Sequence, residues 1–178
     1  MSNKTLGRGT ERPPDYAGEE VRLSIDDLKW HWFSSGDAIS KAILCLYAYA
    51  EPKSFRSNSL VKLDNSWLRI AISKNYHHFF PKAFLSKSGF GEDQANSILN
   101  ITLVDDYLNK REIKAKPPSV YMKDFKKTNK NLSETMKTHL IDDMDAFGIW
   151  TDDYPTFIEK RGERVLAELE FRLKPDLT

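Results

Sequence analysis

Apolar residues recur along this chain with two periods, one helical and one alternating. In "GDAISKAILCLYAYA", Gly36 to Ala50, residues Ala38, Ile39, Ala42, Ile43, Leu46, Tyr47 and Ala50 fall at helical spacing. The spacing predicts a helix with Asp37 as its N-cap. It is apolar nearly all round, so it is expected to be buried, with Cys45 an inert core residue. Upstream, "SIDDLKWHWF" predicts a short helix capped by Ser24. Downstream, "SLVKLDNSWLRIAISKNYHHFF" mixes β-branched and aromatic residues. It predicts a strand from about Ala71 into His77, with a helical turn near Trp67.

The next segment, "PKAFLSKSGFGEDQANS", reads mostly as loop, with a turn of helix at Lys82–Ser86. "SILNITLV" predicts a second short strand with Asn100 inside it. "DDYLNKREIKAK" reads as a helix, with acids in its first turn and basic residues in its last, until Pro117 and Pro118 stop it. Another helix is predicted from Ser119. The C-terminal third is helical, with Asp152 or Asp153 as cap and Pro155 in a first turn. Ile158, Gly162, Val165, Leu166, Leu169 and Leu173 share one face there. The expected fold class is α+β, mostly helical. Residues 1–20 are polar and rich in Gly, Pro and charge, which predicts an arm or linker ahead of one domain over 21–178.

Composition narrows the class. The chain has 178 residues, 40% hydrophobic and 30% charged, as a globular domain with a core requires. No apolar run approaches the roughly 18 residues of a bilayer span, and the N-terminus lacks the apolar core of a secretory signal. A cytoplasmic protein with no membrane partner is expected. One cysteine allows neither an internal disulfide nor a cysteine zinc cluster. The net charge of +1 conceals an asymmetry. Lys53 to Lys130 holds 15 basic and 7 acidic residues, and the remainder 12 and 19. A basic middle suits a polyanion partner, against the simpler reading of a solvated lysine-rich face.

The chemistry concentrates at "KNYHHFFPKAFL", where two of the four histidines, His77 and His78, stand side by side before Pro81. The order around them is strand, loop, strand, helix, with Asn100 on the second strand and Asn109 on the helix. His78 and Asn109 are 31 positions apart. This pattern resembles the HNH, or ββα-metal, nuclease motif, including the HNH domain of RNA-guided CRISPR nucleases. The phrases "NYHHFFPKAFL", "NSILNITLVDDYLNKREIKAKPPSVYM" and "HLIDDMDAFGIWTDDYPTFIEKRGERVL" together resemble the C-terminal nuclease half of GmrSD-type, modification-dependent restriction proteins. The resemblance covers roughly Gly36 to Leu173. It implies a ββα-metal core over about 70–116 with helical flanks.

It also implies roles. His78 is the general base that activates water, a task suited to a neutral imidazole. His77 and Asn109 are metal ligands, and Asn100 is the asparagine that braces the loop and orients the base. Adjacent strand residues point to opposite faces, so a local departure at the strand end is expected to bring both histidines to one pocket. The implied cofactor is a divalent ion, Mg²⁺ or Mn²⁺ foremost. His77 stands where many relatives carry aspartate, which leaves Zn²⁺ and Ni²⁺ open. Lys82, Lys110, Arg111, Lys114 and Lys116 are placed to contact phosphates. Asp105 and Asp106 read as first-turn acids, and His31 and His139 as structural.

The function implied is metal-dependent DNA cleavage in prokaryotic defence against foreign or modified DNA. The partners implied are DNA and a ParB-like nucleotide-using domain or subunit. The alternative is a DNA-binding or assembly module of a restriction system, inactive without that partner.

Overall fold

The computed structural model of the protein describes residues 23–34, 36–63, 76–104 and 112–173. Its architecture is a mixture of helices and one two-stranded antiparallel sheet. Helix α1 (Ile25–Lys29) starts at Ser24, whose side chain accepts from the Asp27 amide while Asp27 reaches back to the Ser24 amide. That reciprocal box satisfies two of the amides a helix start leaves open. Helix α2 (Ala38–Tyr49) is capped by Asp37, which accepts from the Ser40 amide at 2.7 Å. Strand β1 (Tyr76–His78) is followed by α3 (Lys82–Lys87) and α4 (Glu92–Ala95). A single 3₁₀ turn, Ile98–Asn100, leads into β2 (Ile101–Leu103). Helices α5 (Pro118–Thr128), α6 (Leu132–Lys137) and α7 (Tyr154–Leu173) complete the described chain.

The core forms where α7 crosses the elements that flank the sheet. Phe79 stacks on Phe157 of α7, with ring centroids 4.8 Å apart and 8° between planes. Phe80 packs against the same ring at 5.0 Å. The two residues after the histidine pair are thus anchored in the core. Arg161 of α7 is also fully buried, its guanidinium 4.8 Å from the Tyr47 ring and 5.7 Å from the Phe157 ring. Facing aromatic rings favour a cation that burial penalises. At the next residue, Gly162 lets α7 approach α1 and the 3₁₀ turn. A Cβ there would lie 2.9 Å from Ile25 Cγ2 and 3.2 Å from Leu99 Cδ1.

Several expectations are met and several are corrected. The caps at Ser24 and Asp37 form. Asp153 accepts from the Thr156 amide at the start of α7, and Pro155 occupies its first turn. Helix α2, in contrast, is not buried all round. Its inward stripe is Ser40, Ile43, Leu44, Leu46 and Tyr47, while Ile39, Cys45 and Tyr49 are exposed. Alanines fill much of the outer face, so the pattern looked uniformly apolar although only one face finds partners. The segment after Pro81 is more helical than its glycines suggested, since it carries both α3 and α4. Asn100 lies in the 3₁₀ turn, not in the strand. The Ser97 hydroxyl accepts from the Leu99 amide, and the Asn100 amide bonds the Ser97 carbonyl at 2.9 Å, which tightens the chain before pairing starts. The predicted strand start at 71–75, the turn near Trp67, the arm at 1–20 and most of the helix from Asp105 lie outside the described residues.

The close approach at Gly162 gives a first test. Gly162→Ala forces Ile25 or Leu99 aside and lowers stability by about 1–3 kcal/mol, the usual cost of overpacking. Urea denaturation measures it. An unchanged midpoint would contradict the packing of α7 on α1.

Candidate active site

The two strands pair antiparallel, with Tyr76 opposite Leu103, His77 opposite Thr102 and His78 opposite Ile101. The Phe79 amide continues the ladder to the Asn100 carbonyl at 2.8 Å. Pairing is regular through His78, so the departure expected at the strand end is not found there. His77 is buried and shares a face with Thr102, whereas His78 is half-buried on the other face.

Asn100 braces the exit of β1. Its side chain is fully buried. Oδ1 accepts from the Phe80 amide at 2.8 Å, and Nδ2 donates to the Phe80 carbonyl at 3.0 Å and the Ala95 carbonyl at 2.9 Å. One amide therefore clamps the residue after the strand to the end of α4. A buried amide with all these bonds made is rigid, and one deprived of them costs about 1–3 kcal/mol per orphaned group.

His78 faces a residue to which the sequence pattern gave no role. Its Nε2 lies 2.9 Å from Asn96 Oδ1. Asn96 is itself buried, and its Nδ2 donates to the Phe33 carbonyl at 3.0 Å. The Phe33 amide donates back to the Asn96 carbonyl at 2.9 Å. Asn96 is the C-cap of α4, and nothing in its local pattern distinguishes it from an ordinary helix-ending asparagine. Only the fold, which brings Phe33 across to it, reveals the link. Burial holds the His78 pKa below the ordinary imidazole value. The Asn96 hydrogen bond opposes that shift, and the nearby Lys82 charge reinforces it. His78 is therefore neutral near pH 7, the state a base requires.

On the other face, Thr102 Oγ1 lies 2.8 Å from His139 Nδ1, and His139 Nε2 lies 2.7 Å from the Lys53 carbonyl. His139 is buried, and desolvation pushes its pKa down to about 4. It ties three segments together, the structural part expected of it. His31 is likewise engaged, 2.6 Å from Asp37 Oδ2 and 3.2 Å from Ser40 Oγ.

Of the basic residues, Lys82 sits on α3 with its ammonium 5.6 Å from the Trp32 ring centroid and 3.6 Å from Glu92. Lys114 and Lys116 are exposed, and Lys116 lies 3.5 Å from Asp124. Asn109, Lys110 and Arg111 lie outside the described residues, as do Asp105 and Asp106. Among the described residues no three His, Cys, Asp or Glu side chains converge as a metal site. His77 thus contributes at most one donor of a shell whose other predicted protein ligand is Asn109.

Residues 25–168 match the family described as GmrSD restriction endonucleases, C-terminal domain. The chain is also similar to an uncharacterized protein of Methanocaldococcus jannaschii, 31% identical over 160 residues. That alignment covers 76% of this chain and 26% of the archaeal protein, so the chain spans about a quarter of the length of that relative. No solved structure matches.

The buried histidine makes stability depend on pH in a definite direction. His139 has a folded-state pKa of about 4 against about 6.5 unfolded. Between those values the unfolded chain binds a proton that the folded chain refuses. Stability therefore falls as pH drops through that window, by about 1.4 kcal/mol per pH unit, and this loss ends once both states are protonated. His78, also lowered, adds to the same slope. His139→Gln keeps polar contacts without titrating and flattens the slope in urea denaturation from pH 7 to pH 4. Equal slopes in the two proteins would contradict a neutral, buried His139.

Proposed function

Since this chain belongs to the family of GmrSD restriction endonuclease C-terminal domains, we propose that it is a metal-dependent DNA endonuclease with an HNH core. In this reading His78 is the general base. The observation that carries it is the hold on His78 at the end of β1. Burial keeps the ring neutral, Asn96 bonds one of its nitrogens, and Asn100 clamps the backbone two residues on. A base that must meet a water molecule in line with a phosphodiester benefits from such restraint.

Hydrolysis starts with a water that gives its proton to His78 as its oxygen attacks phosphorus. The bond to the 3′ oxygen breaks, that oxygen takes a proton from solvent water, and the products are 5′-phosphate and 3′-hydroxyl ends. Asn100 positions the base without touching substrate. His77 and Asn109 are the proposed ligands of a divalent ion, Mg²⁺ or Mn²⁺ foremost, with Zn²⁺ or Ni²⁺ compatible with an imidazole donor. Such an ion, when bound, supplies positive charge that stabilises the departing oxygen. Lys82, Lys110, Arg111, Lys114 and Lys116 form the proposed phosphate-contacting set. Their contacts would add affinity without reading bases.

The biological setting proposed is restriction of foreign or modified DNA in the cytoplasm, together with a ParB-like nucleotide-using domain or subunit. No helix among the described residues is long and apolar enough to cross a membrane.

Plasmid nicking with Mg²⁺ or Mn²⁺, and with EDTA as control, tests the activity. His78→Ala is expected to keep metal and DNA binding while losing about 10²- to 10⁴-fold in rate, the usual contribution of a general base. His77→Ala and Asn109→Ala lose metal affinity by calorimetry, and excess metal partly restores their cleavage. A parent that never nicks, yet binds DNA, would leave an assembly module instead. Parental cleavage in His78→Ala would remove that residue from the reaction.

The basic set predicts a salt dependence. The slope of log K against log salt is about −0.9 per neutralised phosphate. Charge reversal at Lys114 and Lys116 flattens it if they contact DNA, and an unchanged slope would make them ordinary surface charge.

A further inference from the structure

The hydrogen-bond directions around His78 define more than its position. A backbone carbonyl can only accept, so the atom of Asn96 that faces the Phe33 carbonyl at 3.0 Å is the amide nitrogen. The amide oxygen is therefore turned to His78 Nε2, at 2.9 Å. That oxygen can also only accept, so Nε2 carries the hydrogen. A neutral imidazole has one N–H, and its lone pair is then on Nδ1. The opposite amide orientation would set two acceptor oxygens against each other at Phe33 and lose that bond. Asn96 has little freedom to move. Its carbonyl accepts from the Phe33 amide and its own amide bonds the Glu92 carbonyl, both at 2.9 Å. The preceding Ala95 carbonyl is held by Asn100. Burial keeps water from competing for the Asn96 side chain.

We propose that Asn96 is a positioning residue that fixes His78 as the Nε2–H tautomer and presents Nδ1 as the atom that takes the proton from water. The proposal rests on the reading of His78 as the base. The bond serves both halves of that task. Before proton transfer, Asn96 Oδ1 accepts from the neutral ring and orients it. After transfer, both ring nitrogens carry hydrogen, and the same oxygen still accepts from Nε2. The ring need not turn between steps, and the Phe33 carbonyl keeps the amide from flipping. Phe33 acts through its backbone, so this arrangement depends on the segment between α1 and α2 lying against the end of α4.

The test separates tautomer from activity. Long-range nitrogen–proton correlation spectra of the ¹⁵N-labelled full chain, taken where His78 is neutral, distinguish protonated from bare ring nitrogens. The parent is expected to show a hydrogen on Nε2 and a lone pair on Nδ1 of His78. Asn96→Ala, which removes the acceptor, gives a mixture of tautomers and a kcat at least tenfold lower with KM nearly unchanged. Asn96→Asp keeps an acceptor for Nε2 but loses the donor to the Phe33 carbonyl, so it restores the Nε2–H pattern and recovers part of the cleavage that the alanine variant loses. It also serves if the alanine variant fails to fold. An Nδ1–H tautomer in the parent overturns the proposal, and so does an unchanged ring pattern and rate in Asn96→Ala. In both cases the nuclease reading stands. Parental cleavage by His78→Ala instead removes His78 as the base, and Asn96's part in the reaction with it, whereas a parent that binds DNA and never nicks it overturns the nuclease reading itself.

Discussion

A single buried amide, that of Asn100, holds the site together. The chain must leave β1 at His78, turn at Pro81 and return through α3 and α4 to start β2. Such a path leaves backbone groups at Phe80 and Ala95 without sheet or helix partners. Asn100 meets all three of them, because an amide side chain carries both an acceptor and two donors. Neither an aspartate nor a leucine could do so. The apolar neighbours Phe79 and Phe80 then lock into α7, and the strand end becomes a fixed platform.

The functional consequence follows from that rigidity. The same α4 whose end Asn100 grips also supplies Asn96, and Asn96 supplies the partner of His78. The proposed base, His78, and its brace are thus built from one short stretch of chain, His78 to Asn100, folded back on itself. Its connection to α1 and α2 runs through Phe33. Gly162 matters to the site for the same reason, since it lets α7 close on the 3₁₀ turn that carries Asn100.

Much of this was legible in the sequence, and the reasons for the rest are physical. Ser24, Asp37 and the last long helix follow local rules of capping and periodicity, which act within a few residues. The resemblance carried by "HHFFP" and the asparagine of "ILNITL" pointed to Asn100 as a brace, and its bonding in the structure is that of a brace. Cys45 was misplaced because the exposure of an apolar helix face depends on what packs beside it, and no local pattern reports that. The regular pairing of both histidines was also missed. The expected bend assumed a departure from regular pairing, whereas the register sets His77 opposite Thr102, the residue that meets His139, and His78 opposite Ile101 on the other face. Asn96 was invisible for the plainest reason. Its partners are His78 and Phe33, and the contact with Phe33 spans 63 positions.

The most direct measurement is the single-turnover rate of plasmid cleavage by Asn100→Asp, with folding checked by circular dichroism. Aspartate has nearly the same shape and still accepts from the Phe80 amide. It cannot donate to the Phe80 and Ala95 carbonyls, and its charge is repelled by both. The account predicts a folded but less stable protein in which cleavage falls by at least about 10²-fold, the low end of what a displaced base forfeits. A folded Asn100→Asp protein that cleaves at the parental rate would contradict it.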